Sequence, residues 1–194
     1  MSNSSGSSQG ASRGVAAAPS MSASAIVAKV ASGSHVLKID GYSHTVGLGV
    51  GKFITSRSFV IGGHRWCLRY YPDGHCSSSC DWISIALCLD PGEAGEVRAR
   101  YKISLLDKEG HPVSDHVRES YLSSTFSAKQ EPPDSYLWNF IRKSVLQNKR
   151  FLKDDAFSVR CDITVVTGIV TKYVVTEKEE DIWDGFFIDR RRPA

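Results

Sequence analysis

The chain has 194 residues, 41% apolar and 23% charged, with a formal net charge of +3. That is the balance of one globular domain with tails, not of a disordered or membrane-embedded chain. Its basic residues are spread through strand-like stretches instead of forming a block, so nucleic acid is not expected as a partner, and apolar runs of a few residues fall far short of the roughly 20 a membrane helix needs.

Residues 1–33 are rich in Ser, Ala and Gly and hold no aromatic residue. Such a segment has little apolar surface to offset the entropy of ordering it, so a disordered tail is expected there. His35 to Asp40 opens the strand-like region, followed by a glycine-punctuated connection from Gly41 to Gly51 and further strand material at Phe53, Ile54, Phe59 and Val60. Alternation then becomes regular. Trp66, Leu68 and Tyr70 share one face and Arg65, Cys67 and Arg69 the other, as successive strand positions require. Ile83, Ile85, Leu87 and Leu89 form the next apolar face. Val97, Ala99, Tyr101, Ile103 and Leu105 form another, opposite Arg98, Arg100, Lys102 and Ser104. Phe157, Val159, Cys161, Ile163 and Val165 repeat the pattern, and residues 169–175 suit one last strand.

Turn chemistry separates these runs at Pro72-Asp73-Gly74, Asp90-Pro91-Gly92 and Lys108-Glu109-Gly110. The spacing predicts an all-β fold, an antiparallel β-sandwich of about seven to eight strands. One segment breaks the rhythm. After Pro132-Pro133, Leu137, Phe140, Ile141 and Val145 recur at helical spacing, with Asp134 or Ser135 as N-cap, which predicts one short helix of about three turns near 135–146. The end of the chain carries Trp183, Phe186, Phe187 and Arg190-Arg191-Arg192-Pro193 without a readable period.

Few residues suggest reaction chemistry. His75, Cys76 and Cys80, with His64 as a further donor, have zinc-ligand types but lack the second close doublet of a strong zinc pattern, so no metal and no cofactor is expected. Gly47-Leu48-Gly49-Val50-Gly51-Lys52 superficially resembles a phosphate loop, but Phe53 stands where Ser or Thr is needed. No carboxylate pair with a base and no Gly-x-Ser-x-Gly elbow is present, so no catalytic residue is assigned and an enzyme is not expected. The five cysteines, odd in number and without a secretory signal ahead of them, are expected to be reduced thiols in the nucleus or cytoplasm.

Gly33-Ser-His-Val-Leu-Lys-Ile-Asp-Gly-Tyr42 and Gly63-His-Arg-Trp-Cys-Leu-Arg-Tyr-Tyr-Pro-Asp-Gly74 carry a resemblance. With Asp81 to Leu89, Val97 to Asp107, Phe140 to Lys143 and the Cys161 strand following in order, residues 34–168 resemble the MATH (meprin and TRAF homology) domain, in the form found in plant MATH-BTB (speckle-type POZ-like) proteins.

The resemblance implies a non-catalytic sandwich that binds short extended, Ser/Thr-rich peptide segments of target proteins. In the family the MATH domain selects substrates, and a following BTB domain binds a cullin scaffold for ubiquitination. Carried over by position, Tyr101 and Phe126 match groove aromatics. A groove tyrosine falls on Ala86, and the Trp-Gly-Phe before the family's helix reads Ser135-Tyr136-Leu137. Residues 169–194 are expected to be an extension without a BTB domain. The chain is thereby expected to be a monomer that competes with MATH-BTB relatives for the same peptides. A sandwich for another ligand, such as carbohydrate stacked on Trp82, Tyr101 and Trp138, is the alternative.

Overall fold

The computed structural model describes residues 22–129, 137–147 and 150–174. Their elements in chain order are β1 (Ala23–Asp40), β2 (Ile54–Thr55), β3 (Phe59–Ile61), β4 (His64–Tyr71), β5 (Trp82–Leu89), β6 (Glu96–Leu106), β7 (Pro112–Glu119), β8 (Ser124–Ser127), β9 (Leu137–Arg142), the single-turn helix α1 (Lys143–Leu146) and β10 (Ala156–Val174). Two antiparallel five-stranded sheets result. One runs β1-β10-β6-β7 with β8 also on β6; the other runs β2-β4-β5-β9 with β3 also on β4. The strand count exceeds the expected seven to eight because β2 and β3 are separate pieces of two and three residues.

The main unit is Val27–Val170; the described ends outside it, residues 22–26 and 171–174, belong to a second small unit. Between the sheets lies a core set by period two. From β6 it takes Val97, Ala99, Tyr101, Ile103 and Leu105, and the paired positions of β10 add Val165, Ile163, Cys161 and Val159. The opposite sheet contributes Trp66, Leu68 and Tyr70 from β4 and Ile83, Ile85, Leu87 and Leu89 from β5. Arg98 and Arg100 between the β6 core positions are exposed, the wet side that alternation requires.

Two expectations are corrected here. Of the stretch 1–33 read as disordered, residues 23–33 belong to β1, while residues 1–21 lie outside the described residues. The strand neighbours β10, and Ser32 Oγ lies 2.9 Å from Thr164 Oγ1 while Ser34 Oγ donates to Asp162 Oδ1 at 2.5 Å. Sheet pairing is made by backbone and small polar groups, so a count of apolar side chains misses it. The helix over 135–146 is the second. Residues 137–142 are strand, and only Lys143–Leu146 are helical. A register shift opposite Ile83 and Ser84 leaves Phe140 as an extra residue in β9, which turns consecutive Phe140 and Ile141 both into the core, at 0% and 1% exposure. That bulge imitates helical spacing. Residues 169–174 continue β10 instead of forming a new strand. Trp183, Phe186, Phe187 and the arginines Arg190 to Arg192 lie outside the described residues.

Candidate functional site

The outer face of the β2-β4-β5-β9 sheet is built by the residues that alternate with the core. Cys67 pairs with Cys88, Arg69 with Ala86, and Tyr71 with Ser84 across β4 and β5. β9 extends two of these rows, setting Leu137 opposite Ala86 and Asn139 opposite Ser84. Cys67, Tyr71, Ala86 and Cys88 form a small buried cluster of their own, apart from the inter-sheet core. At its rim the Phe53 ring leans on Tyr71, with centroids 5.2 Å apart, and the Arg69 guanidinium stands 4.5 Å over Phe53. Arg142 covers Trp82 at 5.0 Å.

A polar chain runs beside this cluster. The fully buried Ser84 hydroxyl donates to Asn139 Oδ1 at 3.2 Å, and His75 Nδ1 lies 3.3 Å from Ser84 Oγ and 3.2 Å from Ser79 Oγ. It ties the loop after β4 to β5 and β9. β9 is the terminal strand of its sheet among the described residues, hydrogen-bonded to β5 on one side. A terminal strand offers a row of backbone donors and acceptors to an incoming extended chain.

Asp73 holds the near end of the face in place. Its Oδ1 accepts Lys143 Nζ at 2.7 Å, and its Oδ2 accepts the N–H groups of Gly47 and Gly49 at 2.9 and 2.8 Å. Burial of the carboxyl opposes ionisation, but the Lys143 ammonium and the Gly49 and Gly47 N–H groups outweigh it and hold its pKa below the ordinary value. The glycine loop that resembled a phosphate cradle therefore binds a carboxylate of its own chain. Gly74, next in sequence, has φ 79°, and an added Cβ would meet Ser79 O at 2.0 Å. Only glycine fits there.

The site residues expected from sequence divide between two places. Tyr101 and Phe126 come together, with ring centroids 5.8 Å apart, but inside the core at 2% and 4% exposure, where Phe126 also meets Trp66 edge-on at 5.1 Å. Their expected place in an open groove is corrected: β6 alternation points Tyr101 inward with Val97 and Leu105, and β8 pairs Phe126 with Val97. Ala86 lies on the outer face instead, at 0% exposure and with Leu137 as its register partner. Ser135 lies outside the described residues. Arg69, Tyr71, Ser84 and Asn139 were not singled out by sequence, although alternation already placed Arg69 opposite the core residues of β4. What was missing was the register that sets it beside Ala86.

The zinc-ligand types do not converge. Among the described residues, no group of three or more His, Cys, Asp or Glu side chains is placed to hold a metal ion. Cys76 instead bonds the Ser78 and Ser79 hydroxyls, at 3.1 and 3.2 Å, which lower its thiol pKa. No helix among the described residues is long and apolar enough to cross a membrane.

Comparison with known proteins identifies the family. The MATH domain family model matches residues 34–163. BTB/POZ and MATH domain-containing protein 4 of Arabidopsis thaliana is 33% identical over 154 residues, covering 77% of this chain and 33% of that protein. BTB/POZ and MATH domain-containing protein 6 of the same plant is 34% identical over 146 residues, covering 73% and 35%. The chain thus spans about a third of the length of these curated relatives. The solved structure of Notothenia coriiceps TRAF5 aligns with a TM-score of 0.46 at 16% identity, covering 75% of this chain and 76% of that one. Matched over more than half of its length, with two antiparallel sheets and a terminal strand beside a structured outer face, the chain belongs to the MATH domain family, a family of protein-interaction domains.

Proposed function

We propose that the domain captures an extended segment of a partner protein along β9, in the manner of a substrate-recognition domain of cullin-type ubiquitin ligase adaptors. The observation that carries this is the position of β9, which ends its sheet among the described residues and pairs with β5 at Ser84 and Ala86. Backbone bonds to the terminal strand supply affinity, and alternate side chains of the ligand meet the outer face, where sequence preference arises. Asn139, held by the buried Ser84 hydroxyl, is the polar group of β9 that suits a Ser/Thr-containing segment.

The groove differs from the family pattern where Ala86 replaces a tyrosine, so the preferred ligand is expected to differ too. An unbiased library of extended peptides, read by fluorescence anisotropy against the full chain, tests this. Micromolar binders that lose affinity in Ala86→Tyr are expected. Absence of any binder, or indifference of the binders to Ala86→Tyr, would refute it. The carbohydrate alternative has less support, because Tyr101 is buried in the core and the Arg142 guanidinium stands 5.0 Å over the Trp82 ring.

A further inference from the structure

Cys67 and Cys88 stand directly opposite each other on β4 and β5, both reduced and both buried, at 3% and 7% exposure. No other cysteines share a register position in the described strands: Cys161 lies across from Ile103, and Cys76 and Cys80 flank a short turn. The pairing type follows from the neighbouring backbone. Asp90 N–H donates to Arg65 C=O at 2.9 Å, which makes that pair hydrogen-bonded, and since pair types alternate, Cys67 and Cys88 two positions along are hydrogen-bonded too. Their Cα atoms are then about 5.5 Å apart, inside the window of about 4.4 to 6.8 Å that a disulfide spans.

The Cβ atoms of such a pair start about 1 Å farther apart than a relaxed disulfide prefers, so the closed bond is strained and readily reduced. Both thiols belong to one buried cluster with Tyr71 and Ala86. A hydrogen bond from Cys88 holds Cys67 toward the thiolate, burial works against it, and the charge of Arg69 helps it.

We propose that Cys67 and Cys88 are a peroxide-reactive dithiol that closes reversibly into a cross-strand disulfide. The Cys67 thiolate attacks one oxygen of hydrogen peroxide, forming an S–O bond as the O–O bond breaks and hydroxide leaves to be protonated to water. Cys88 sulfur then attacks the sulfenic sulfur of Cys67. The S–S bond forms, the S–O bond breaks, and the departing hydroxide takes the Cys88 proton as the second water. Two thiols are oxidised by two electrons and one peroxide is reduced, with no further reactant. The bond needs no ligand on the outer face, so it is tested apart from peptide capture.

The experiment treats the full reduced chain with hydrogen peroxide, alkylates remaining thiols, and maps disulfides by mass spectrometry. Chymotryptic cleavage at Trp82 separates Cys88 from Cys76 and Cys80. Expected is one dominant cross-link joining Cys67 and Cys88, lighter than the two thiol peptides by two hydrogen atoms and fully reopened by glutathione. Recovery of Cys67 and Cys88 as alkylated thiols, their pairing with Cys76 or Cys80, or their conversion to sulfinic acids without a cross-link would overturn the proposal. In Cys88→Ser, whose hydroxyl keeps a hydrogen-bond donor at that position but cannot close a disulfide, Cys67 is expected to accumulate as a sulfenic acid captured by dimedone. An unmodified Cys67 in the folded variant would overturn its role as the attacking thiol, and the mapping of the unaltered chain stands if that variant fails to fold.

Discussion

Replacing Asp73 by Asn is expected to destabilise the domain by about 3 kcal/mol. The carboxylate joins three segments: the end of β4, the loop carrying Gly47 and Gly49, and Lys143 at the start of α1. Removing one member of a buried pair typically costs about 3 to 5 kcal/mol, because the remaining charge stays desolvated. Here the Asp73 side chain is 9% exposed and that of Lys143 is 23% exposed. Lys143 keeps some access to water, which places the cost near the lower limit. For a domain of this size that corresponds to a fall in Tm of roughly 6 to 12 °C. Urea unfolding followed by tryptophan fluorescence measures the loss, and amide exchange reports whether Gly47 and Gly49 open more often. The pH dependence has a definite sign. Asp73 titrates below its ordinary value in the folded state, so its contribution is complete above about pH 4 and is lost as pH falls through the folded pKa. In Asp73→Asn this part of the acid limb should flatten. A loss below about 1 kcal/mol, with exchange at Gly47 and Gly49 unchanged, would refute the reasoning.

Tyr101→Ala is expected to cost about 3 to 5 kcal/mol, as for a core aromatic, and a melting temperature close to that of the unaltered chain would contradict the inward placement of Tyr101. Gly74→Ala must accommodate both a positive φ and a Cβ 2.0 Å from Ser79 O, so thermal unfolding should fall by more than the 1 kcal/mol usual for glycine replacement; a neutral result would contradict the turn geometry. Cys161 lies fully buried and burial pushes its thiol pKa well up, with Asp162 adding to it, so iodoacetamide at neutral pH should label exposed Cys80 long before Cys161. Equal labelling rates in the native chain would contradict that burial.

Period two made the inner faces of β4, β5, β6 and β10 readable, because each strand there has one apolar and one contrasting side. It failed where that contrast is absent. In the first part of β1, ahead of the readable His35 to Asp40, Ser, Ala and Gly interrupt the apolar residues, and no alternation marks the pairing to β10. In β9 a bulge sends adjacent Phe140 and Ile141 inward, which reads as a helix until the register with β5 is known. The candidate site divides for a similar reason. Tyr101 resembles a groove aromatic by alignment, yet its place in the β6 alternation already points into the core. The pairing of Ala86 with Arg69 on one side and Leu137 on the other depends on strands distant in sequence, and no local pattern encodes it. The same holds for Cys67 and Cys88, separately visible as half-buried strand thiols but joined only by register.

Capture along β9 is tested most directly by amide chemical-shift mapping of the full chain, titrated with a peptide selected from the extended library. Shift changes should gather on Asn139 to Arg142 of β9 and on Ser84 and Ala86 of β5, with Arg98, Arg100 and Lys102 on the outer face of β6 unaffected. Changes confined to those three basic residues, with β9 and β5 silent, would contradict it.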